Sequence, residues 1–233
     1  MQVLRQQYLQ PIKHVITERT IGFEVLSRFD APTEVVFAEA RSNGGLIDLD
    51  VECLTAAIGL LEVVPCEYFL TMNVTAEAAS ASRMTSTLMK VPPEQRERIH
   101  IELTEQSKAP RLQVYKALHN VRMAGAQYCI DDFGQGYSDL ERVIQLGPDC
   151  VKIDKEFTHN LADREQNRAR IRALAAATME LRITAIAEGI ETLDDLEWIA
   201  GLGIFYAQGY YLGRPAPVEA WFGDATEVVA PHT

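Results

Sequence analysis

The sequence predicts an α/β fold, a modified (β/α)8 TIM-like barrel with an antiparallel first strand, in a single domain over residues 1–233. Three observations predict it. From residue 68 onward, short β-rich runs alternate with longer helical patterns, the rhythm of repeated βα units. Eight β-rich runs can be placed, the number that closes this kind of barrel. The first two are separated by only about ten residues, too few for the crossover that a parallel pair requires.

In chain order, the first two strands fall near Gln6–Gln10 and Ile21–Leu26. Six more follow near Tyr68–Val74, Ile99–Leu103, Gln127–Asp131, Cys150–Ile153, Ile183–Ala187 and Ile204–Ala207. Between them, apolar residues recur at helical spacing: Leu54, Ala57, Ile58 and Leu61 in one segment, and Leu112, Tyr115, Leu118 and Val121 in another. Each set forms a stripe that can cover a sheet face. Stop signals agree, with Asn43-Gly44-Gly45 after the first helix, Gly125 after the helix that begins near Pro110, and Gly203 after the last. No repeat beyond the βα rhythm and no linker interrupts the chain.

With 47% hydrophobic and 24% charged residues, the 233-residue chain has the composition of a soluble globular domain with a sizeable core. Its net charge of -11 excludes broad attraction to nucleic-acid phosphates, so a phosphate substrate needs the help of cations. Cys53, Cys66, Cys129 and Cys150 lie far apart without a Cys-x-x-Cys pair, which argues against a zinc knuckle or disulfide framework and fits a reducing, cytoplasmic setting. No apolar run reaches the length of a signal segment or membrane span, so no membrane insertion is expected. His14, His100, His119, His159 and His232 show no metal-ligand spacing. Any metal site is therefore built from oxygen ligands, which favours Mg2+ or Mn2+ over zinc.

The polar residues Glu24, Asn73, Glu102, Asp131, Lys152 and Glu188 each fall at or near the carboxyl end of a separate predicted strand. In a barrel these ends converge on the face that carries active sites. A lone strand-end carboxylate more often caps a helix or faces solvent; the joint pattern is what points to a site. Strand alternation puts Ile99, Ile101 and Leu103 on the helix side and Glu102 on the axis side, and separates Ile130 from Asp131 in the same way. Lys152, between Val151 and Ile153, then enters the barrel mouth, where its ammonium needs carboxylates nearby. Glu24, Glu102, Asp131, Asp132 and Glu188 bring five negative charges, which two divalent cations reduce to one and Lys152 cancels. Asp131 and Asp132 precede Gly134 and Gly136, which permit a tight loop, and one such Asp can bridge two metals. The likeness of Asp132-Phe133-Gly134 to a kinase magnesium motif is set aside, because no Gly-rich nucleotide loop or His-Arg-Asp motif accompanies it.

The ordered series QPI at Gln10, EVLSR at Glu24, NVTA at Asn73, ELTE at Glu102, DDFGQGYSDL at Asp131, VKID at Val151, AEGIET at Ala187 and QGYYLGRP at Gln208 resembles the EAL-domain family over roughly residues 6 to 217. That family hydrolyses cyclic di-GMP. The resemblance implies that Glu24, Asn73, Glu102 and Asp131 are ligands of one metal, with Asp131 bridging to a second held near Asp132. It makes Lys152 the contact of the nucleophilic water and leaves Glu188 as ligand or base. Gln10, Arg28 and Gln208 are implied on the substrate side, with Arg28 suited to phosphate by its fork of donors. Glu105 is implied as the anchor of the loop after Asp132, and Glu191 as a support behind the site.

Two positions depart from the family pattern. Val25 replaces the alanine of the naming triplet, and alternation turns it away from the site. Asp139 stands where serine is common, beside a segment that the resemblance links to dimerisation and activity control. The function implied is hydrolysis of cyclic di-GMP to linear pGpG with two divalent cations, Mg2+ or Mn2+, in a homodimer under a regulatory domain or partner. The alternative is a catalytically silent cyclic di-GMP receptor or protein-interaction module, against which the complete ligand set counts. An enolase-like enzyme or a glycerophosphodiesterase leaves the loop motif unexplained.

Overall fold

A computed structural model describes residues 4–103, 110–133 and 139–223. Its strands are β1 Leu4–His14, β2 Thr20–Phe29, β3 Phe69–Val74, β4 Ile99–Leu103, β5 Gln127–Phe133, β6 Cys150–Ile153, β7 Thr184–Ala187, β8 Tyr206–Ala207 and β9 Ala216–Pro217. Strands β2 to β8 are parallel neighbours in sequence order, and β1 closes the ring by pairing antiparallel with both β2 and β8. The result is a closed, eight-stranded mixed barrel wrapped by helices, with β9 added as two residues along β1. The antiparallel start expected from the short first connection is present.

Most boundaries fall within two residues of the sequence expectation, but β1 runs four residues beyond Gln10, past Pro11. Proline lacks an N–H and normally ends a central strand. Here Pro11 is opposite Phe23 of β2, while on its other edge it lies in the gap between the β9 pairing at Leu9 and the β8 pairing at Lys13. The strand therefore continues without a lost ladder bond on that edge.

Alternation sorts the strand residues into two environments. Leu70, Met72, Val74, Ile99, Ile101, Leu103, Ile130 and Val151 face outward and pack with Leu54, Ala57, Leu118 and Val121 of the covering helices Leu46–Gly59 and Arg111–Met123. On the other side of the barrel, Ile153, Ala185 and Ala187 pack with Ile171 and Leu174 of Glu165–Leu181 and with Leu196 and Ile199 of Leu193–Gly201. Val25 belongs to the outward set, as alternation requires.

Inside the barrel, Ile12, Cys129, Cys150 and Ile186 form an apolar plug with Phe69 and Tyr206, and the Phe69 ring stacks on His100 at 4.4 Å. Gly22 leaves the space that the Phe69 ring occupies: a Cβ there would lie 2.7 Å from it. Two residues further towards the carboxyl ends of their strands, above this plug, come Glu24, Glu102, Asp131, Lys152, Glu188 and Gln208. The period of two thus stacks a polar layer directly on an apolar one.

Candidate active site

The polar layer is organised by Lys152. Its ammonium donates to Oε2 of Glu24 and Oε2 of Glu102, both at 3.1 Å, lies 2.6 Å from Oε1 of Glu188, and is 3.9 Å from Oδ1 of Asp131. Lys152 is 1% exposed and Glu102 not at all, so β6 and β4 carry an ion pair into the barrel's interior. Alternation puts both on the axis, and the apolar plug beneath them excludes water from below.

Glu24 is fixed on both oxygens. Asn73 donates its Nδ2 to Oε1 at 2.8 Å, and Gln208 donates its Nε2 to Oε2 at 2.5 Å, alongside Lys152. The same Nε2 of Gln208 donates to Oε1 of Gln10 at 3.0 Å, and Gln10 donates to the Gly213 carbonyl at 3.2 Å. Gln10 and Gln208, expected on the substrate side, thus form a buried brace from β1 to Glu24. Glu188 is held from behind: Thr158 donates its hydroxyl to the Glu188 carbonyl at 2.6 Å. The turn after it needs glycine, since Gly189 has φ +66° and a Cβ there would lie 2.3 Å from Cβ of Lys155.

Electrostatics follow from four carboxylates sharing one ammonium. Burial alone would push the Lys152 pKa down, but the charges of Glu102, Glu188, Glu24 and Asp131 outweigh it and raise it well above the ordinary lysine range. Burial raises the Glu102 pKa well above the usual carboxylate value despite Lys152, and neighbouring carboxylates add to the rise. Burial also pushes Glu188 up to about 7. Glu24 goes the other way: its burial is outweighed by the Lys152 charge and by the hydrogen bonds from Gln208, Lys152 and Asn73.

These residues fit divalent cations by charge and donor chemistry. The side chains offer hard oxygens, and Oε1 of Glu102, fully buried, has no hydrogen-bond partner among the described residues. One ammonium leaves three of the four clustered negative charges uncompensated when all four acids are ionised. The acids are gathered on the lysine rather than closed into a cage: among the described residues, no three His, Cys, Asp or Glu side chains stand as a ready-made metal group.

Other expected site residues lie elsewhere. The Arg28 guanidinium sits over the Tyr8 ring, 5.2 Å from its centroid, and lines the space between β2 and the helices Thr33–Ser42 and Leu46–Gly59. Glu191 is half exposed, 3.8 Å from Nε2 of His159. Asp132 contributes backbone to β5 at a register irregularity between Ile130 and Phe133. Glu105 and the side chains of Asp132 and Asp139 lie outside the described residues. Thr158 was not singled out by sequence; its signal is a hydroxyl four residues after VKID, at the end of the short helix Lys155–Thr158.

Known proteins share the sequence pattern and the barrel fold. Cyclic di-GMP phosphodiesterase TpdA of Vibrio parahaemolyticus is 27% identical over 207 residues, 87% of this chain but only 36% of its own length. Klebsiella pneumoniae BlrP1 in its calcium/cy-diGMP complex superposes with a TM-score of 0.81 at 29% identity, covering 91% of this chain and 55% of that one. Its manganese/cy-diGMP complex at pH 9.0 superposes at 0.78, with 28% identity, 93% and 59% coverage. The PaMucR phosphodiesterase, in complex with c-di-GMP, gives 0.81 at 25% identity over 92% of this chain and 98% of its own. The family model described as EAL domain matches residues 5–215, which contain β2 to β8, all of β1 but its first residue, and every described residue of the polar layer, and this chain belongs to that family.

Proposed function

We propose that this chain is a phosphodiesterase that hydrolyses cyclic di-GMP to linear pGpG in a reaction dependent on two divalent cations, Mg2+ or Mn2+. The observation that carries the reading is the convergence of Glu24, Glu102, Asp131 and Glu188 on Lys152 at the carboxyl end of the barrel. Similarity to proteins named as cyclic di-GMP phosphodiesterases supports the substrate.

The cations would be held by Glu24, Asn73, Glu102, Asp131, Asp132 and Glu188, and when bound they supply an activated water and neutralise charge on the phosphate. Lys152, kept protonated by its carboxylate neighbours, orients that water with a full positive charge. Gln208 and Asn73 fix the rotamer of Glu24, so the ligand geometry does not have to be assembled during the reaction. Glu188, whose carboxyl titrates near neutrality, can serve as ligand or accept a proton. Arg28 serves the dinucleotide phosphate from the rim, and Gln10 supports the substrate side through its tie to Gln208. Glu191 and Glu105 support the loops around the site.

Val25 is buried on the helix side of β2, away from the Glu24 carboxylate, so this departure from the family triplet does not count against hydrolysis, and the retained acids with Lys152 favour hydrolysis over a silent receptor. On the same reading the chain works in the cytoplasm as a homodimer under a regulatory domain or partner; among the described residues no helix is long and apolar enough to cross a membrane. Incubating the purified chain with cyclic di-GMP and Mg2+ or Mn2+, with and without chelator, and separating the products by chromatography tests the proposal. Formation of pGpG only with free cation is expected. Tight binding of the dinucleotide without cleavage, in saturating cation, would establish the receptor instead.

A further inference from the structure

We propose that the flank of the barrel formed by the helices Ser82–Leu88 and Arg111–Met123 is a docking surface for an anionic lipid bilayer, on which the chain rests without crossing it. The local charge there is opposite to that of the whole chain. None of the 33 acidic residues falls in residues 78–93 or 106–130, whereas Arg83, Lys90, Lys108, Arg111, Lys116 and Arg122 do, in a chain of net charge -11. Among the described helices of ten residues or more, Arg111–Met123 is the one without an Asp or Glu. The two helices pack side by side, so the two acid-free stretches make one basic surface.

Apolar side chains project from the same surface. At about 100° per residue, Leu112, Tyr115, Lys116, His119, Arg122 and Met123 fall within about a third of the helix circumference. All six are exposed, while Ala117, Leu118 and Val121 on the opposite side are packed in the core. Leu112 is 81% exposed and Met123 66%, joined by Met89 at 53% just after Ser82–Leu88. Arg96 holds the two ends together, donating to the Met89 carbonyl at 2.7 Å and the Ala124 carbonyl at 3.5 Å. Asn120 donates to the Ala79 carbonyl at 3.1 Å, which braces the platform. Two acids beside it are already engaged, Asp48 by Arg83 and Glu77 by Arg41. A single exposed apolar residue is ordinary, but several on one face among cations are the pattern of an interfacial helix. An acidic protein would meet the same charges, yet side chains projecting from a convex helix surface suit the headgroup and acyl boundary better. Among the described residues no helix is long and apolar enough to cross a membrane, so the association is peripheral. The polar layer opens at the end of the barrel and not on this flank, so a docked chain keeps its site accessible.

The test is cosedimentation of the chain with vesicles of phosphatidylcholine alone and of phosphatidylcholine mixed with phosphatidylglycerol. At low ionic strength, binding to the mixed vesicles is expected to be at least about tenfold tighter than to phosphatidylcholine, and to weaken as salt is raised. Lys116→Gln should weaken it about fivefold, the factor for one cation near an anionic surface. Leu112→Gln combined with Met123→Gln should weaken it at least about tenfold by removing the apolar anchors. Ile16→Gln changes a residue as exposed as Met123, in the turn between β1 and β2, and should leave binding unaltered. No preference for the anionic vesicles, or a preference that the Lys116 and Leu112/Met123 variants share with the parent, would overturn the proposal. Self-association that is lost in the double variant, without lipid binding by the parent, would assign the face to a second copy of the chain instead. Because binding and not turnover is read, the outcome is independent of the hydrolytic reading.

Discussion

Lys152 and Glu102, carried by β6 and β4, form an ion pair of 3.1 Å that lies wholly inside the barrel, with Lys152 1% exposed and Glu102 fully buried. The pair is the floor of the site and its main electrostatic liability, because Glu24, Asp131 and Glu188 lean on the same ammonium. Removing the ammonium leaves a buried anionic cluster with no internal counter-charge. Lys152→Met is therefore expected to destabilise the fold by about 3–5 kcal/mol in chelator, the scale for breaking a buried pair from one side. Added Mn2+ should recover part of that loss by binding the native acids. Urea unfolding of the variant with chelator and with Mn2+ checks both; equal stability in the two conditions would mean that the acids do not take a cation.

Asp131 is the member of the cluster farthest from the lysine ammonium, at 3.9 Å, and on the proposed reading it bridges the two cations. Asp131→Asn keeps the shape and removes the charge. Turnover of cyclic di-GMP is expected to fall at least about a hundredfold, in the range seen when preorganised charge stabilisation is deleted, with the fold retained. Product analysis alongside a circular dichroism melt separates the two effects, and substantial pGpG formation would count against a bridging role for Asp131.

Gln208 reaches Glu24 and Gln10 with one amide nitrogen. Gln208→Met keeps the length of the side chain and deletes both hydrogen bonds, so Glu24 loses one of the contacts that hold its carboxyl below the ordinary range. A loss of roughly 2 kcal/mol in stability is expected, the scale of a hydrogen bond to a charged group. If Gln208 acts by positioning Glu24, the effect on activity should fall on kcat; a change mainly in KM would instead bear out the substrate contact expected from the sequence, and steady-state kinetics decide this.

Much of the architecture was legible because strand period and helix period differ. Ile99–Leu103 and Cys150–Ile153 match their expected bounds to the residue, since each is a short apolar run with a single charged residue on the opposite face. The convergence of Glu24, Glu102, Asp131, Lys152 and Glu188 was readable from their shared place at strand ends, whereas the contacts among them were not. That Gln208 holds Glu24, and that Thr158 holds the Glu188 peptide, depends on ring closure between β8 and β1 and on one turn after β6. Periodicity carries no such information. Asp50 did leave a trace: an acid at an apolar position of Leu46–Gly59 conflicts with its own helix pattern.

That conflict has a pH signature. Asp50 has a folded pKa of about 7 against an ordinary 3.8, so the native state holds a proton that the unfolded chain releases between those values. The unfolded chain then binds fewer protons, and stability falls as pH rises from about 4 to 7, by up to about 4 kcal/mol, while below the unfolded value nothing is lost. Asp50→Asn, which can still accept from Thr75, should be more stable than the parent at pH 7 and lose the advantage near pH 4. Denaturant melts of both proteins across this window check the sign; a difference independent of pH would mean that Asp50 is ionised in the native state.

The plug beneath the charged layer rests on Gly22. A Cβ at this position would stand 2.7 Å from three atoms of the Phe69 ring, which cannot retreat freely because it stacks on His100 at 4.4 Å. Gly22→Ala is therefore an overpacking substitution in a filled barrel, expected to cost about 1–3 kcal/mol although alanine suits a strand better than glycine. The strain should also pass upward, because Gly22 lies two residues before Glu24 on the same strand. Phe69→Leu removes the ring's breadth, so Gly22→Ala combined with Phe69→Leu should cost less than the sum of the two single changes. Thermal and urea melts of the four proteins in the cycle measure the coupling, and simple additivity would show that the ring moves aside without strain.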